Sequence, residues 1–220
     1  MDEAKWVRLA AASGLVFLIL IIVQGPVLQG SSPSTTDSAT KMFNYFKNHQ
    51  SDIKAAAFLF GLAMSAVLVW GSAHFRALRK AEGGHAGLAA AALGGLVLAA
   101  TMSVVSAATE ATAALRIDDL GYSGARVYYT LTQFTVAGVL LGLAVLVGTT
   151  AVVVFRTGLF HRWFGMLSII LAIGSFIGAS GVAYANDFSY NFRGAMLSLD
   201  SLWIGVVGVF LLRRPEQAIA

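Results

Sequence analysis

The stretch TVAGVLLGLAVLVGTTAVVVF, residues 135–155, contains no charged side chain. A transmembrane α-helix needs about 20 consecutive and mostly apolar residues, so this stretch is long enough to cross a bilayer. The whole chain has the same character, because 57% of its 220 residues are hydrophobic and only 12% are charged. A soluble domain carries about 25% charged residues. The sequence therefore predicts a membrane protein.

Six segments of this kind follow one another along residues 1–220 and predict an all-α fold. We expect a single transmembrane domain in which six helices form an up-and-down bundle. The third and fourth segments exceed the length that a bilayer requires, so we expect them to tilt or to project beyond it. The stretch NDFSYNFRG, residues 186–194, is predicted to be a short loop. The predicted spans are residues 9–28, 53–75, 87–115, 127–155, 164–185 and 195–212.

Lys5 and Arg8 precede the first segment, as basic residues precede the apolar part of a secretory signal peptide. The apolar part is long for that role, and VQGPVLQGSS, residues 23–32, lacks a clear A-x-A cleavage site. We therefore expect an uncleaved membrane anchor.

The basic residues predict the orientation of the bundle, because cytoplasmic loops of membrane proteins are enriched in Lys and Arg. With six spans, both termini lie on one side. That side carries the dense clusters FRALRK, residues 75–80, and LLRRP, residues 211–215. The basic residues of the other side are fewer and have acidic residues nearby. Both termini are therefore predicted to be cytoplasmic.

A short amphipathic helix is predicted over residues 38–48, between the first two spans. Asp37 or Ser38 is its expected N-cap. We expect the helix to lie on the outer membrane surface. It would serve there either as a cap on the bundle or as a lipid-facing gate or partner-docking surface. Its apolar face carries Met42, Phe43 and Phe46.

Small residues recur at a spacing of four in the fourth and fifth spans, as Gly138 with Gly142 and Gly174 with Gly178. Lipid tails are as apolar as leucine, so membrane helices associate through close packing and hydrogen bonds. These glycines predict close packing between helices of the same chain. A contact with another membrane subunit is the alternative.

Several kinds of chemistry have no support in the sequence. The chain has no cysteine, which excludes disulfides, thiolate metal sites and cysteine nucleophiles. The histidines show no helical metal-site spacing, and there is no phosphate-binding loop or G-x-S-x-G elbow. The stretch DDLG, residues 118–121, is expected to be a solvated loop. We therefore expect no metal, no cofactor and no catalytic activity. The histidines are His49 on the outer side and His74, His85 and His161 at the inner face.

The net charge of +4 does not predict a nucleic-acid partner. Nucleic-acid binding requires basic residues gathered on one patch. Here they are scattered between apolar runs, as the orientation rule for membrane proteins requires.

Asp200 stands inside the sixth predicted span, in the stretch AMLSLDSLWIG, residues 195–205. At a rise of 1.5 Å per residue it lies about 18 Å from the end of that span at Leu212. By the same measure Glu110 lies about 34 Å along the third span, at the outer interface. An ionisable residue inside the membrane is a functional candidate by default. Asp200 is thus the one acid that the sequence places within the bilayer.

The sequence predicts a polar pocket in the outer half of the bundle, with Asp200 at its floor. Arg193 precedes Asp200 by about two helical turns and is expected to reach it along the same face. The pocket is predicted to comprise Asp200, Arg193, Gln24, Ser103, Ser180 and Glu110. Further polar side chains expected above it are Ser106, Thr109, Thr112, Tyr128, Tyr129, Gln133, Tyr184 and Tyr190.

Asp200 also has a purely structural interpretation. Buried amide and hydroxyl groups tie membrane helices together, each contributing about 0.6 kcal/mol on average. In that case Asp200 forms a hydrogen bond with Ser180 or Gln24 and holds helices together without binding a ligand.

A resemblance supplements these inferences. The run YFKNHQSDIKAAAFLFGLAMSAVLVWGSAHFRALRKAEGG, residues 45–84, with FRTGLFHRWFGMLSII, residues 155–170, resembles uncharacterised multi-spanning membrane proteins of actinobacteria. The resemblance implies a bacterial inner-membrane protein. It supplies no catalytic or binding residues to transfer.

Two functions are compatible with the sequence. The first is a non-enzymatic accessory or assembly subunit of a larger envelope complex, such as a lipid importer, with membrane lipids and other membrane subunits as partners. Small size, small-residue spans and the missing catalytic motifs favour it. The alternative is an independent small carrier or lipid-binding protein that uses the outer polar pocket around Asp200.

Overall fold

The computed structural model describes residues 2–25, 32–183 and 186–218 of the chain. These residues form seven α-helices, joined by turns and short 3₁₀ segments, and contain no strand. Six of the helices are long and apolar enough to cross a membrane. The all-α fold with six spans and one short helix is as predicted. The helices are α1 Glu3–Ile22, α2 Ala39–Asn48, α3 Gln50–Ala81, α4 Gly87–Leu115, α5 Ile117–Thr157, α6 Arg162–Ser180 and α7 Asp187–Arg213.

The six long helices are arranged as a closed ring. Each of them packs against the next along the chain, and α7 returns to pack against α1. Helices on opposite sides of the ring meet sparingly, and no Cα atom of α4 comes within 8 Å of a Cα atom of α7. The ring therefore leaves room at its centre.

Large apolar side chains cover the outside of the ring. On α6, for example, Ile170 is 64% exposed and Phe176 is 63% exposed. A soluble monomer rarely presents a large continuous apolar surface, whereas lipid tails cover such a surface in a bilayer. Together with the six long helices, this surface indicates a multi-pass membrane protein.

Contacts near the ends of helices define the two ends of the ring. At the end that carries both chain termini, Arg76 Nη1 donates to Glu3 Oε1 at 3.0 Å, and Lys80 donates to the Glu216 carbonyl at 3.0 Å. At the opposite end, which carries α2, the Lys47 ammonium lies 2.5 Å from the Asp118 carboxylate. We name these the termini end and the α2 end.

Helix α2 forms a cap on the α2 end. Its N-cap is Ser38, whose hydroxyl oxygen accepts from the backbone N–H of Lys41 at 3.2 Å. Met42 and Phe46 are 1% and 0% exposed, and Phe43 is partly buried with its ring 4.7 Å from that of Tyr122. Of the two alternatives for this face, the structure supports the cap on the bundle, because the chain itself covers the face. Its neighbours are Ala113, Ala114, Ile117, Ala125 and Tyr129.

The fourth span begins earlier than predicted. Helix α5 starts at Ile117, so the solvated loop expected at residues 118–121 is helical instead. Gly121 interrupts the helix with φ 61° and ψ −168°, a conformation that glycine adopts at little cost. The extension has a structural reason, since Ile117 and Ala125 are fully buried against α2.

The last helix also begins earlier than predicted. Asn186 is its N-cap, with a side-chain oxygen that accepts from the Ser189 N–H at 2.8 Å. Residues 187–194 are consequently helical and not a hairpin loop. The third helix also extends beyond its predicted bounds, to Gln50 and Ala81. The predicted span ends at residues 26–28 and 184–185 lie outside the described residues.

The four glycines that predicted close packing face other helices of the same chain. A Cβ atom added to Gly142 would lie 2.5 Å from the Gly95 carbonyl oxygen, so α4 and α5 approach backbone to backbone. On Gly138, Gly174 and Gly178, the added atom would lie 2.7–3.2 Å from side chains of the facing helices. Those side chains are Met102 on α4, Met196 on α7 and Leu140 on α5.

Candidate functional site

A cavity occupies the interior of the ring toward the α2 end. It consists of two adjoining chambers of about 330 Å³ and about 370 Å³. Both volumes fall in the range of about 300–1,000 Å³ that is typical of small-molecule sites. The chambers share the lining residues Gln24, Ser32, Phe60, Gly194 and Leu197.

The chamber nearer the α2 end, here called the polar chamber, combines side chains from different helices of the ring. Gln24 comes from the helical turn that follows α1, Glu110 from α4, Gln133 from α5 and Arg193 from α7. Three of these were predicted for the pocket, and Gln133 was expected above it. Other polar lining residues are Ser32, Ser106, Thr132, Tyr190 and Asn191.

Arg193 is the most buried charged group of the polar chamber, with 3% of its surface exposed. Its Nε donates to the Ser189 carbonyl and its Nη1 to the Gln133 carbonyl, both at 3.4 Å. These distances exceed the usual 2.9–3.0 Å, and a guanidinium has five N–H donors. The ion pairs within the described ranges do not include Arg193. The site therefore holds a buried cation whose donors are incompletely used by the protein.

Glu110 is the acidic group of the polar chamber. It is half-buried on α4 and lies on the opposite side of the ring from α7. Among the described side chains it forms no ion pair with Arg193 within 4.0 Å. The chamber thus presents a positive and a negative group that are separate from each other.

The second chamber, here called the apolar chamber, reaches further toward the middle of the ring. Its walls are mainly aliphatic and aromatic, and Ser103, which the sequence predicted for the pocket, is one of its few polar residues. Ser198 and Ser201 add hydroxyl groups on α7. The apolar lining residues include Phe17, Ile21, Met64, Val67, Leu96, Val139, Leu143 and Ile204.

A cluster of rings, here called the aromatic plug, fills the interior on the termini side of the cavity. It consists of Trp70, His74, Phe164 and Trp203, each no more than 3% exposed. Trp70 stacks on His74 with centroids 4.9 Å apart, and Phe164 stacks on Trp203 at 5.9 Å. The two pairs meet where Trp203 and His74 are edge to face at 5.8 Å.

The sequence placed His74 at the inner face, and the structure buries it within the aromatic plug on the termini side of the cavity. Its Nε2 lies 2.9 Å from the Thr150 hydroxyl oxygen. That hydroxyl donates its single proton to the Leu146 carbonyl at 2.8 Å, so it accepts from His74 Nε2–H. His74 Nδ1 is buried and has no hydrogen-bond partner among the described residues. The i, i+4 spacing of Trp70 and His74 is the sequence signal that predicts their stacking.

Asp200 lies outside the cavity, contrary to the prediction that it forms the floor. It is fully buried and faces α6, where its Oδ2 accepts from the Ser175 hydroxyl at 2.6 Å. Its Oδ1 is buried and has no hydrogen-bond partner in the described ranges. Neither chamber includes Asp200 among its lining residues. The predicted partner Ser180 is exposed and donates to the carbonyl of Ile177 in its own helix.

Arg193 does not reach Asp200, although the two share a helix face. Side chains of an α-helix are tilted toward its N-terminus. Arg193 therefore extends toward the α2 end and contacts the Ser189 carbonyl one turn back. Asp200 lies two turns in the opposite direction, so the side chains of Arg193 and Asp200 lie in different environments.

The segment that precedes α2 is tied to the start of α7 beside the polar chamber. Ser34 and Thr36 donate to Asp187 Oδ1 at 2.6 and 2.7 Å. The hydroxyls of Ser32 and Tyr190, which both line the chamber, are 2.6 Å apart. The Tyr129 hydroxyl donates to the Pro33 carbonyl. This segment therefore forms part of the chamber wall.

The chain matches no known protein family, curated protein or solved structure. The interpretation of the site therefore rests on its geometry. Sequence reasoning missed Ser175 as the partner of Asp200, and it missed the chamber residues Thr132 and Asn191. A depth estimate gives the height of a residue in the bilayer but not the direction in which its side chain points.

Proposed function

We propose that this protein binds a lipid-like amphiphile, without catalysing a reaction on it, in the cavity of its helix ring. The observation that carries the proposal is the order in which a polar and an apolar environment follow each other inside the ring. A polar chamber with the buried guanidinium of Arg193 adjoins an apolar chamber of similar volume. An amphiphile has the same two parts, so its headgroup fits the first chamber and its tail the second.

The aromatic plug favours the interpretation of the ring as a binding site and not as an open channel. The side chains of Trp70, His74 and Trp203 fill the ring interior beyond the apolar chamber. A ligand therefore enters and leaves through the α2 half of the molecule. With both termini in the cytoplasm, as the basic residues of the termini end favour, this half lies in the outer leaflet.

The accessory-subunit hypothesis, with a lipid importer or another envelope complex as partner, stays a prediction from the sequence. The glycines that were its main structural argument pack within the chain, as Gly142 does against Gly95. The cavity is a structural observation that supports the lipid-binding hypothesis. We therefore favour that hypothesis.

Filling the apolar chamber tests the proposal. Ala100 is buried on α4 and lines the chamber, so Ala100→Phe would occupy the space of the tail. The matched control is Ala108→Phe, on the exposed face of the same helix. We expect native mass spectrometry of the purified protein to find a bound lipid in the wild type and in the control, and none in Ala100→Phe.

Two results would contradict the proposal. One is a wild-type protein that carries no lipid under conditions that preserve its helical circular dichroism. The other is equal lipid occupancy in Ala100→Phe and Ala108→Phe, because a ligand outside the cavity is indifferent to the space inside it.

A further inference from the structure

Resting on the proposed function, we infer that the bound amphiphile has a zwitterionic headgroup. Its anionic phosphate or carboxylate would contact Arg193, and its primary ammonium group would contact Glu110. Among the described residues, the lining of the polar chamber contains one basic and one acidic side chain.

The guanidinium of Arg193 fits the anionic part. It is 3% exposed, lines the chamber, and among the described residues makes two long contacts, both with backbone carbonyls. A guanidinium binds phosphate and carboxylate groups through two parallel N–H donors. Thr132 and Asn191 line the same chamber and add further polar contacts.

Glu110 fits the cationic part. Its carboxylate lines the chamber from α4, on the far side of the ring from α7, which carries Arg193. A carboxylate accepts hydrogen bonds, and so do the side-chain carbonyls of Gln24 and Gln133, which line the chamber as well. A primary ammonium supplies three donors to such a set, whereas a quaternary ammonium supplies none.

The separation of the two charges argues for one ligand that carries both signs. Arg193 and Glu110 do not form an ion pair with each other within the part of the chain that the structure describes. A purely anionic headgroup on Arg193 would also face the carboxylate, and like charges brought together disfavour binding. A zwitterion presents the opposite charge to each of the two groups.

Three lysophospholipids with the same acyl chain provide the probes. They carry an ethanolamine, a glycerol and a choline headgroup, and each is titrated against the purified protein in native mass spectrometry. We expect the ethanolamine lipid to bind more than about tenfold more tightly than the glycerol lipid, from the like-charge penalty. The choline lipid should bind less tightly than the ethanolamine lipid, because its ammonium donates no hydrogen bond.

Charge variants identify the responsible side chains. Glu110→Gln should abolish the preference for ethanolamine over glycerol and leave the glycerol lipid bound at least as well as before. Arg193→Gln should weaken binding of all three lysophospholipids, because each carries a phosphate, and Arg193→Lys should recover part of the loss if the first variant folds poorly. Arg116→Gln is the control, since this exposed side chain lies outside the lining of the cavity.

The outcomes separate this inference from the proposed function. Binding of all three lipids with equal affinity, or tighter binding of the glycerol lipid, overturns the zwitterion inference and leaves the lipid-binding function standing. An unchanged ethanolamine preference in Glu110→Gln also overturns it. Failure of the wild type to bind any of the three lipids contradicts the proposed function itself.

Discussion

At the scale of single residues, Asp200 and Ser175 form a hydrogen bond between two membrane-spanning helices. The bond is 2.6 Å long, and both residues are fully buried. Neither residue lines the cavity, and their hydrogen bond joins α6 to α7. This placement favours the structural interpretation of Asp200.

A double-mutant cycle on this pair gives the first prediction. Ser175→Ala and Asp200→Ala should each destabilise the protein, with a coupling energy of about 0.6–1.7 kcal/mol, the range from average to maximum for such bonds in membranes. The measurement is reversible unfolding in mixed micelles. Asp200→Asn should bind the lipid as the wild type does. Loss of lipid from a folded Asp200→Asn protein would show instead that Asp200 contributes to the ligand site.

His74 gives the second prediction. Thr150→Val removes the acceptor of His74 Nε2–H. The other tautomer would also carry an unpaired N–H, because Nδ1 has no hydrogen-bond partner within the part of the chain that the structure describes. A buried donor without an acceptor costs about 1–3 kcal/mol. The control is Thr149→Val, whose hydroxyl contacts only its own helix. Equal unfolding free energies for the two variants would contradict the assigned bond.

The residue scale also shows how far the sequence predicts the site. Hydropathy and the 1.5 Å rise predict that Gln24, Ser103, Glu110 and Arg193 lie in the α2 half, and all four line the cavity. The same method wrongly places Asp200 and Ser180 in the cavity, because neither residue lines either chamber. The direction of a side chain depends on the rotation of its helix. Contacts such as that between Asp200 and Ser175 determine this rotation, and hydropathy carries no information about it.

At the scale of elements, the start of α2 depends on a charged cluster. The Lys41 ammonium, 2.8 Å from the Asp37 carboxylate, and the Ser34 N–H together lower the pKa of Asp37. A lowered carboxyl pKa stabilises the fold above the unfolded-state value of about 3.9. That contribution is lost as the pH falls through the lowered folded-state value.

The third prediction follows from the direction of this pKa shift. Hydrogen exchange at the first turn of α2, corrected for the intrinsic pH dependence of exchange, should show weaker protection below about pH 4 than at pH 7. Asp37→Asn should have the weaker protection at both values. A wild-type protection that does not change over this range would contradict the role of Asp37.

Helix ends were predicted less well than helix existence, and α5 and α7 show why. Mean hydropathy reports the part of a helix that lies in lipid. Helix α5 continues to Ile117 because that side chain is buried under α2, and α7 begins at Asp187 because Asn186 caps it. Tertiary contacts and caps therefore extend helices beyond the apolar window. The short helix α2 was predicted correctly because its cap and its apolar spacing are both local.

At the scale of the whole molecule, the ring has two unlike halves. The half toward the α2 end contains the cavity, and the other half is filled by the aromatic plug. The proposed outer-leaflet location of the cavity depends on the orientation of the ring, which can be measured independently of any ligand.

The fourth prediction concerns that orientation, and the absence of natural cysteines makes it direct to test. Asn48→Cys at the α2 end and His85→Cys in the turn between α3 and α4 both place a thiol on an exposed position. In intact bacterial cells, a membrane-impermeant maleimide should label the first and not the second. Permeabilised cells should show both labelled. Selective labelling of His85→Cys in intact cells would show the opposite orientation, with both termini outside the cytoplasm.

Photo-crosslinking with a lipid that carries a diazirine in its acyl chain tests the central claim most directly. Mass spectrometry of the purified, irradiated protein then identifies the residues that the tail contacts. Binding inside the ring predicts crosslinks to Ser103, Leu197 and Ser201, which face the apolar chamber. It also predicts that an excess of unlabelled lysophospholipid suppresses them. Crosslinks confined to outward-facing residues such as Ile170 and Phe176 would show that lipid only surrounds the ring, and would contradict the account.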